Sequence, residues 1–237
     1  MRLNISNVHF GNSDINKNIT IPEKLTLNLS EETGLHIGDG SMNFYRNKNN
    51  FRGVYQLRGH LNDDKAHYNQ RVKNLYKLLY NFYPSLREMK SSGVYGFQIW
   101  SDALVNFKNK VIGLPLGEKT DVKIPKQFFI KKDNLISLIR GIFDTDGCVY
   151  IENKRKKLYP RVEFKTISNT LAEQLKKSLN NLDLRATKYS LLRTHKNWHT
   201  LYTVSIRGEE MVKKTFKIIQ PNNPKHKLKF NFYLDNF

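Results

Sequence analysis

Two nine-residue segments decide how this chain folds: ETGLHIGDG at residues 32–40 and IRGIFDTDG at residues 139–147. Both carry glycine, aspartate and glycine at the same three positions, and the two copies are separated by nearly half the length of the chain. Self-similarity at so long a period usually reports a duplicated structural unit. At 237 residues the chain is long enough to contain two such units.

The sequence after each copy supports the duplication. A segment of strand-like alternation follows each Asp-Gly pair, with Tyr55 and Leu57 opposite a polar face in the first copy and Val162 and Phe164 in the second. Helix-spaced apolar residues, a second alternating segment and a short helix then come in both copies. Each half reads helix, two strands, helix, two strands, helix. The sequence therefore predicts a mixed α/β (α+β) fold of two αββαββα repeats.

Changes in composition predict the boundaries of these units. A stretch rich in Gly, Pro and Lys separates the two halves and is typical of a linker. The first 20 residues precede the repeat and carry no motif that we can interpret. We predict an N-terminal extension at 1–20, a first repeat at 21–118, a linker region at 119–132 and a second repeat at 133–237.

Each motif is predicted to form the end of a helix. The first helix is expected to begin near Asn28 or Ser30 and the second near Asp133, because these residue types favour the N-cap position. Glycine then ends each helix, at Gly40 and at Gly147. Both helices are therefore expected to stop directly after the aspartate of the motif.

Small residues form a stripe along each predicted helix. Gly34 and Gly38 are four residues apart in the first copy, and Gly141 and Thr145 in the second, so each pair lies on one helix face. Another backbone can approach closely along such a stripe. If the two stripes pack about a pseudo-twofold axis, the helix C-termini and their aspartates converge.

The convergence of Asp39 and Asp146 has a chemical consequence. Two carboxylates at the negative ends of two helix dipoles repel each other, so the arrangement is favourable only with cations present. Hard oxygen ligands suit Mg²⁺, which is usually held by one or two carboxylates and a phosphate. The sequence thus predicts a divalent-cation site shared by the two halves.

The two segments resemble the motifs of the LAGLIDADG homing endonuclease family in its single-chain, two-repeat form, over about residues 21 to 230. The resemblance implies that the motif helices form the interface between the repeats and that the strands form a DNA-binding saddle. It also implies that Asp39 and Asp146 bind the metal, with the backbone carbonyls of Gly38 and Thr145 as further ligands.

Members of this family also place a basic residue near each scissile phosphate. Lys119 follows Asp39 at nearly the same sequence separation as Lys227 follows Asp146. Lys225 fits that separation equally closely, so the choice between Lys225 and Lys227 stays open. Our interpretation assigns Lys119 and Lys227, with the two aspartates, as catalytic residues that polarise water or stabilise phosphorane charge. The alternative is that both lysines only contact phosphate or solvent.

The implied reaction is metal-assisted hydrolysis of a phosphodiester bond, with each half cutting one DNA strand. The expected cofactor is Mg²⁺ or another divalent cation such as Mn²⁺, or Ca²⁺ bound without turnover. The chain is expected to act as a monomer with internal pseudo-twofold symmetry, because both motifs lie in it.

A strongly basic composition indicates a polyanionic partner: 40 Lys and Arg residues against 21 Asp and Glu residues give a net charge of +19. Basic residues cluster in equivalent hairpins of the two repeats and on the polar strand faces. Such residues contact phosphates and base edges, although a solvated hairpin face is the alternative. The predicted DNA-binding residues are Arg46, Lys48, Arg52, Gln56, Arg58, His60, Lys154, Arg155, Lys156, Arg161, Lys165, Arg193, Lys196 and Trp198.

Other features restrict the location of the protein. A single cysteine, Cys148, excludes an internal disulfide and a Cys-based zinc site, which fits a reducing compartment. No apolar run approaches a membrane span, and the first residues lack a secretory signal. We expect a soluble intracellular protein, cytoplasmic in a prokaryote or organellar, with no membrane partner.

The expected function is a site-specific, intron-encoded homing endonuclease that makes metal-dependent double-strand breaks in a long, nearly non-palindromic target. The alternative is an RNA maturase or DNA-binding regulator with the same fold and no cleavage, so intron RNA stays open as a partner. A phosphatase using FDTDG is disfavoured because residues 134–143 have helical patterning. His195 and His199 lack a third ligand for zinc.

Overall fold

Each repeat consists of a motif helix, a four-stranded antiparallel sheet and further helices in the computed structural model, which describes residues 1–47, 50–155, 157–192 and 198–236. A short helix, α1 (Asn12–Asn16), precedes the first repeat. That repeat comprises α2 (Leu27–Asp39), β1 (Gly40–Asn47), β2 (Asn50–His60), α3 (Lys65–His67), α4 (Lys73–Tyr80), β3 (Arg87–Met89), β4 (Val94–Trp100) and α5 (Asp102–Asn106). A π-helical turn, Tyr68–Val72, joins α3 to α4, and another, Phe107–Ile112, extends α5.

The second repeat has the same order of elements. It comprises α6 (Lys132–Asp146), β5 (Gly147–Lys154), β6 (Lys157–Thr166), α7 (Asn169–Asn180), β7 (Ala186–Leu191), β8 (Leu201–Arg207) and α8 (Glu209–Ile219). A final helix, α9 (Pro224–Asp235), follows it. The strand orders β1-β2-β4-β3 and β5-β6-β8-β7 are equivalent, so the predicted pair of αββαββα repeats is confirmed.

The starts of the motif helices differ from the sequence prediction. Helix α2 begins after Thr26, whose hydroxyl oxygen accepts a hydrogen bond from the N–H of Leu29 (3.2 Å), so the predicted caps at Asn28 and Ser30 are wrong. Helix α6 begins after Lys131, which makes no side-chain cap. Asp133 lies inside its first turn, where a carboxylate interacts favourably with the helix dipole.

The glycine ends of the motif helices are where the sequence predicts them, but for a steric reason. Gly40 and Gly147 are in extended backbone, with φ of −80° and −81°, which any residue can adopt. A Cβ on Gly40 would lie 2.7 Å from the Cα of His36, and one on Gly147 would lie 2.7 Å from a ring carbon of Phe143. At both glycines the backbone therefore turns from helix to strand too tightly to leave room for a side chain.

The two motif helices pack along their stripes of small residues. A Cβ on Gly34 would lie 2.9 Å from the Cα of Gly141, and one on Gly141 would lie 2.7 Å from the backbone nitrogen of Leu35. Leu35 and Leu138 are fully buried beside this contact. The interface between the repeats is thus the contact that the spacing of small residues predicts.

The first repeat has a charged group in its core. Glu32 and Lys108 are both fully buried, and the Lys108 ammonium lies 2.6 Å from one Glu32 carboxylate oxygen. The hydroxyls of Tyr76 and Tyr80 donate to the same carboxylate at 2.6 Å and 2.9 Å, and Tyr55 hydrogen-bonds Tyr76. This network satisfies the buried carboxylate, which would otherwise be very costly to desolvate.

The segments outside the repeats are packed against them. The side chain of Asp14 in α1 is buried and accepts hydrogen bonds from the N–H groups of Gly11 (2.9 Å) and Ala103 (3.0 Å). In the predicted linker region, Val122 and Phe128 are buried. None of the described helices is long and apolar enough to cross a membrane.

Substitution of Gly34 by alanine tests the helix interface. An exposed Gly→Ala change stabilises a helix by about 1 kcal/mol, yet here the methyl group would overlap the opposite backbone. We expect a net loss of about 1–3 kcal/mol in the free energy of unfolding, because overpacking forces the backbones apart. Urea unfolding of the wild type and the variant measures this loss. An increase in stability would contradict the close packing.

Substitution of Lys108 by methionine tests the buried network. The change leaves the Glu32 carboxylate without its counter-charge, so we expect a loss of about 3–5 kcal/mol in the free energy of unfolding. Lys110→Met is the matched control, since Lys110 is exposed two residues further on. Equal stability of the two variants in urea unfolding would show that the pair is not buried in solution.

Candidate active site

The C-terminal ends of α2 and α6 bring Asp39 and Asp146 together. Both side chains are half-buried at the junction between helix and strand. A Cβ on Gly38 would lie 3.3 Å from the carboxyl carbon of Asp146, so this carboxylate lies against the backbone of the other motif. The two halves therefore contribute one acidic group each to a single site.

The surroundings raise the pKa of both carboxyl groups. Burial raises the pKa of Asp39 well above its usual range, and the nearby charges of Asp146 and Asp64 raise it further. Burial raises the pKa of Asp146 to about 6, although Lys119 and Lys225 act in the opposite direction. The charged forms of these groups thus need additional positive charge, as a bound cation would supply.

Asp64 and Tyr68 also lie at the site, although the sequence did not identify them. Tyr68 contacts the carboxylate of Asp39, and Asp64 lies close to it. The Tyr68 hydroxyl donates a hydrogen bond to Asp39 (2.9 Å) and is nearly fully buried. A Cβ on Gly59 would lie 2.7 Å from one oxygen of Asp64 and 2.8 Å from one of Asp39. The site therefore contains a third carboxylate. Its sequence signal is an aspartate just before a predicted helix, which is also typical of an ordinary N-cap.

Lys119 lies in the site, as the sequence predicts. Its ammonium group donates to the backbone carbonyl of Ile37 (2.9 Å) and to that of Gly38. Burial lowers the pKa of Lys119, while the carboxylates of Asp146 and Asp39 raise it. The lysine thus places a positive charge at the end of α2, where carbonyl groups have no partner within the helix.

Of the two lysines between which the sequence leaves the choice open, Lys225 is the one that lies at the site. The Lys225 ammonium lies 2.7 Å from the Asp64 carboxylate and 3.4 Å from the backbone carbonyl of Thr145. Lys227 is exposed on α9. Because successive helical residues are rotated by about 100°, residues two apart point to nearly opposite sides. Lys225 faces the motif helices, and Lys227 faces away from them.

The segment before α9 is tied to the second motif. The buried carboxylate of Asp144 accepts hydrogen bonds from the backbone N–H groups of Asn222 and Asn223, all at 3.0 Å. The Asn223 side chain donates to the backbone carbonyl of Asp144 (2.8 Å). Burial raises the pKa of Asp144 to about 7, although these N–H groups lower it. The link fixes the backbone two residues before Lys225.

The donor set fits a divalent cation. Asp39 and Asp146 supply hard oxygen ligands, and in this structure lysine ammonium groups lie on the carbonyls of Gly38 and Thr145. Among the described residues, no group of three or more His, Cys, Asp or Glu side chains could hold a metal ion. Two carboxylates with the remaining positions open to water and phosphate are typical of Mg²⁺ sites.

The polar face of the first sheet carries several of the predicted DNA-binding residues. Arg58 donates to the side chain of Gln98 (2.8 Å), and the Arg52 guanidinium lies 5.6 Å from the centre of the Trp100 ring. Gln56 is half-buried, whereas Arg46 and His60 are exposed. Cross-strand contacts therefore orient the arginines without removing them from solvent.

On the second sheet, basic side chains surround a buried glutamate. Arg161 and Lys165 lie 3.1 Å and 3.7 Å from the carboxylate of Glu163, which is 2% exposed. Both also flank the ring of Tyr150, at 4.9 Å and 5.0 Å from its centre. The sheet thus presents two positively charged side chains, Arg161 and Lys165, that are held in place by one aromatic ring.

Three more of the predicted DNA-binding residues lie in the described part of the chain, namely Lys154, Arg155 and Trp198. Lys154 and Arg155 are exposed at the end of the β5–β6 hairpin, and Arg155 has a positive φ of 49° typical of a tight turn. The Trp198 side chain is 58% exposed. The predicted residues Lys48, Lys156, Arg193 and Lys196 lie outside the described part of the chain, as does His195.

Comparisons with known proteins agree with this fold. Residues 133–220 match the family model of a LAGLIDADG-like domain. A search of the curated proteins finds no match to the sequence. Among solved structures, variants of the homing endonuclease I-DmoI are 18% identical, with a TM-score of 0.57, and cover 83% of this chain and 97% of theirs.

Two complexes with DNA have similar folds. I-DmoI with DNA and Mn is 19% identical, with a TM-score of 0.56 and coverage of 83% of this chain and 98% of its own. The LAGLIDADG homing endonuclease I-GzeII with its DNA target is 12% identical, with a TM-score of 0.56 and coverage of 91% and 89%. Residues 133–220 therefore form a LAGLIDADG-like domain, and the chain as a whole has the fold of the LAGLIDADG homing endonucleases.

Proposed function

We propose that the protein is a site-specific DNA endonuclease that cuts both strands with the help of divalent cations. The observation that carries the proposal is the pair Asp39 and Asp146 at two helix ends, with Lys119 and Lys225 beside them. Paired carboxylates that can hold a divalent cation, with lysines beside them, are groups that can catalyse phosphodiester hydrolysis. The net charge of +19 supports a nucleic acid as the substrate.

In this mechanism Asp39 and Asp146 would hold Mg²⁺, or Mn²⁺ in its place. The bound cation would lower the pKa of water and stabilise the negative charge that develops on the leaving oxygen. Tyr68 keeps the Asp39 carboxylate in one orientation through its hydrogen bond. Lys119 and Lys225 would donate hydrogen bonds to the phosphate oxygens, because their ammonium groups are already located at the two helix ends.

Specificity would come from the polar faces of the two sheets. Arginine and glutamine side chains on paired strands can reach base edges in the major groove, and lysines in the hairpin loops can contact phosphates. The two repeats present different side chains on these faces, so the target would be long and nearly non-palindromic. Since both DNA-binding repeats lie in one chain, the protein would act as a monomer.

The second candidate is an RNA maturase or a DNA-binding regulator that uses the same surface without cleavage. Both motif carboxylates are present and lie together, which favours cleavage. Intron encoding fits a homing function, and intron RNA would then be a second partner. A soluble intracellular location, cytoplasmic or organellar, would give the protein access to either nucleic acid.

The metal site is tested with Asp39→Asn and Asp146→Asn. Each change keeps the side-chain shape and removes one negative charge, so we expect double-strand cleavage to fall at least about a hundredfold. DNA binding should persist. Purified proteins are incubated with a randomised double-stranded DNA library, with Mg²⁺ or chelator, and the cut ends are sequenced. Cleavage by either variant at the wild-type rate would refute the site assignment.

The DNA surface is tested with Lys154→Ala and Arg155→Ala. If these side chains contact phosphates, each change should weaken DNA binding and reduce the slope of log K against log salt concentration by about 1. Lys177→Ala is the matched control, because it removes one exposed charge from α7. An equal effect of all three variants would indicate that only the net charge matters.

A further inference from the structure

We propose that Asp64 is a positioning residue that fixes the ammonium group of Lys225 for cleavage of one DNA strand, whereas Lys119 serves the other strand through backbone contacts. The inference rests on the proposed endonuclease function and deepens it. It assigns a role to a carboxylate outside both motifs. It also implies that the lysines serving the two DNA strands are held by different kinds of contact.

Both oxygens of the Asp64 carboxylate have defined partners. One oxygen accepts from the Lys225 ammonium and from the Asn223 side-chain amide, both at 2.7 Å. The other accepts from the backbone N–H of His60, also at 2.7 Å. The residue is only 3% exposed, so water screens the contact with Lys225 weakly. The carboxylate therefore has little freedom to rotate, and it holds the lysine from a fixed point.

The corresponding position in the second repeat is Ser168. Tyr68 donates its backbone N–H to the carbonyl of Asp64 (2.9 Å), and Ala172 donates in the same way to Ser168 (3.1 Å). Both acceptors therefore occupy the same place, at the start of the helix that follows the second strand of each repeat. At the acceptor position the first repeat has the carboxylate of Asp64 and the second has the hydroxyl of Ser168. At the donor position the first repeat has the phenol of Tyr68 and the second has the methyl group of Ala172.

Asp64 and Ser168 each contact the segment that follows the other repeat and carries one of the two site lysines. Asp64 in the first repeat holds Lys225, which follows the second repeat. Ser168 in the second repeat donates its hydroxyl to the backbone carbonyl of Val122 (2.7 Å), three residues after Lys119. The contacts are equivalent in topology. One is a charge pair with the lysine itself, and the other is a neutral hydrogen bond to backbone.

This difference predicts which lysine depends on a distant carboxylate. Lys225 lies 3.4 Å from the Thr145 carbonyl, so that contact alone holds it weakly. Lys119 donates to two carbonyls at the end of α2 and needs no such support. Loss of Asp64 should therefore displace one ammonium group and leave the other in place. Small displacements of a catalytic group cost much of its rate contribution.

The test measures the cleavage rate of each strand separately. Wild type, Asp64→Asn, Lys225→Met and the double variant act on a supercoiled plasmid with one target site and strand-specific end labels. We expect Asp64→Asn and Lys225→Met to slow the same strand by about tenfold to a hundredfold. The other strand should change less than about threefold, so nicked circles accumulate. In the double variant the slow strand should be no slower than with Lys225→Met alone.

A matched control and a second variant keep the test decisive. Glu88→Gln removes a neighbouring, more exposed ion pair, with Lys65 at 2.6 Å, and should alter neither strand. If Asp64→Asn does not fold, Asp64→Ser copies the residue of the second repeat at the same place. Equal slowing of both strands, or additive effects in the double variant, would overturn the positioning role.

A readout independent of activity completes the experiment. Urea unfolding of the same four proteins should give non-additive losses of stability, because either single change leaves one charge without its partner. Additive losses would overturn the inference. If wild type shows no metal-dependent cleavage of the library, the proposed function fails, and this inference fails with it. Cleavage by wild type with unchanged strand rates in Asp64→Asn refutes the inference alone.

Discussion

The close approach of two helix backbones at Gly34 and Gly141 is the constraint on which the rest of the structure depends. A side chain at either position would overlap the opposite helix, so these residues set the distance at which the repeats meet. That distance places the ends of α2 and α6 side by side, and each sheet starts from there. The separation of Asp39 and Asp146 is thus set by close packing that begins more than one helical turn before them and continues to Gly38 and Thr145.

The two repeats share a backbone arrangement and differ in the chemistry that supports it. In the first, Glu32 and Lys108 form a buried pair surrounded by tyrosine hydroxyls, whereas the corresponding position of α6 is the buried Ile139. The same contrast occurs at the site, where Asp64 corresponds to Ser168. The pseudo-symmetry therefore describes how the elements are arranged, and the side chains around the site follow a separate, asymmetric pattern.

Much of the fold could be predicted from sequence, because the repeated motif, the spacing of small residues and strand alternation are local patterns. The placement of Asp39 and Asp146 followed from them. The roles of Asp64 and Tyr68 did not, since an aspartate before a helix is typical of a simple cap. Lys225 was not distinguished from Lys227 because the choice depends on where α9 begins, which Asn223 and its contacts with Asp144 determine.

The hydrogen bonds that Asn223 and Lys225 donate to Asp64 mean that the halves of this chain are not interchangeable. A dimer of two first repeats would place Asp64 opposite a sequence without Asn223 and Lys225, and a dimer of two second repeats would place Lys225 opposite Ser168. Either assembly would lose the pairing of a buried charge. The two halves therefore depend on complementary side chains on both sides, and exchange of single domains with other two-repeat proteins would have to transfer these contacts together.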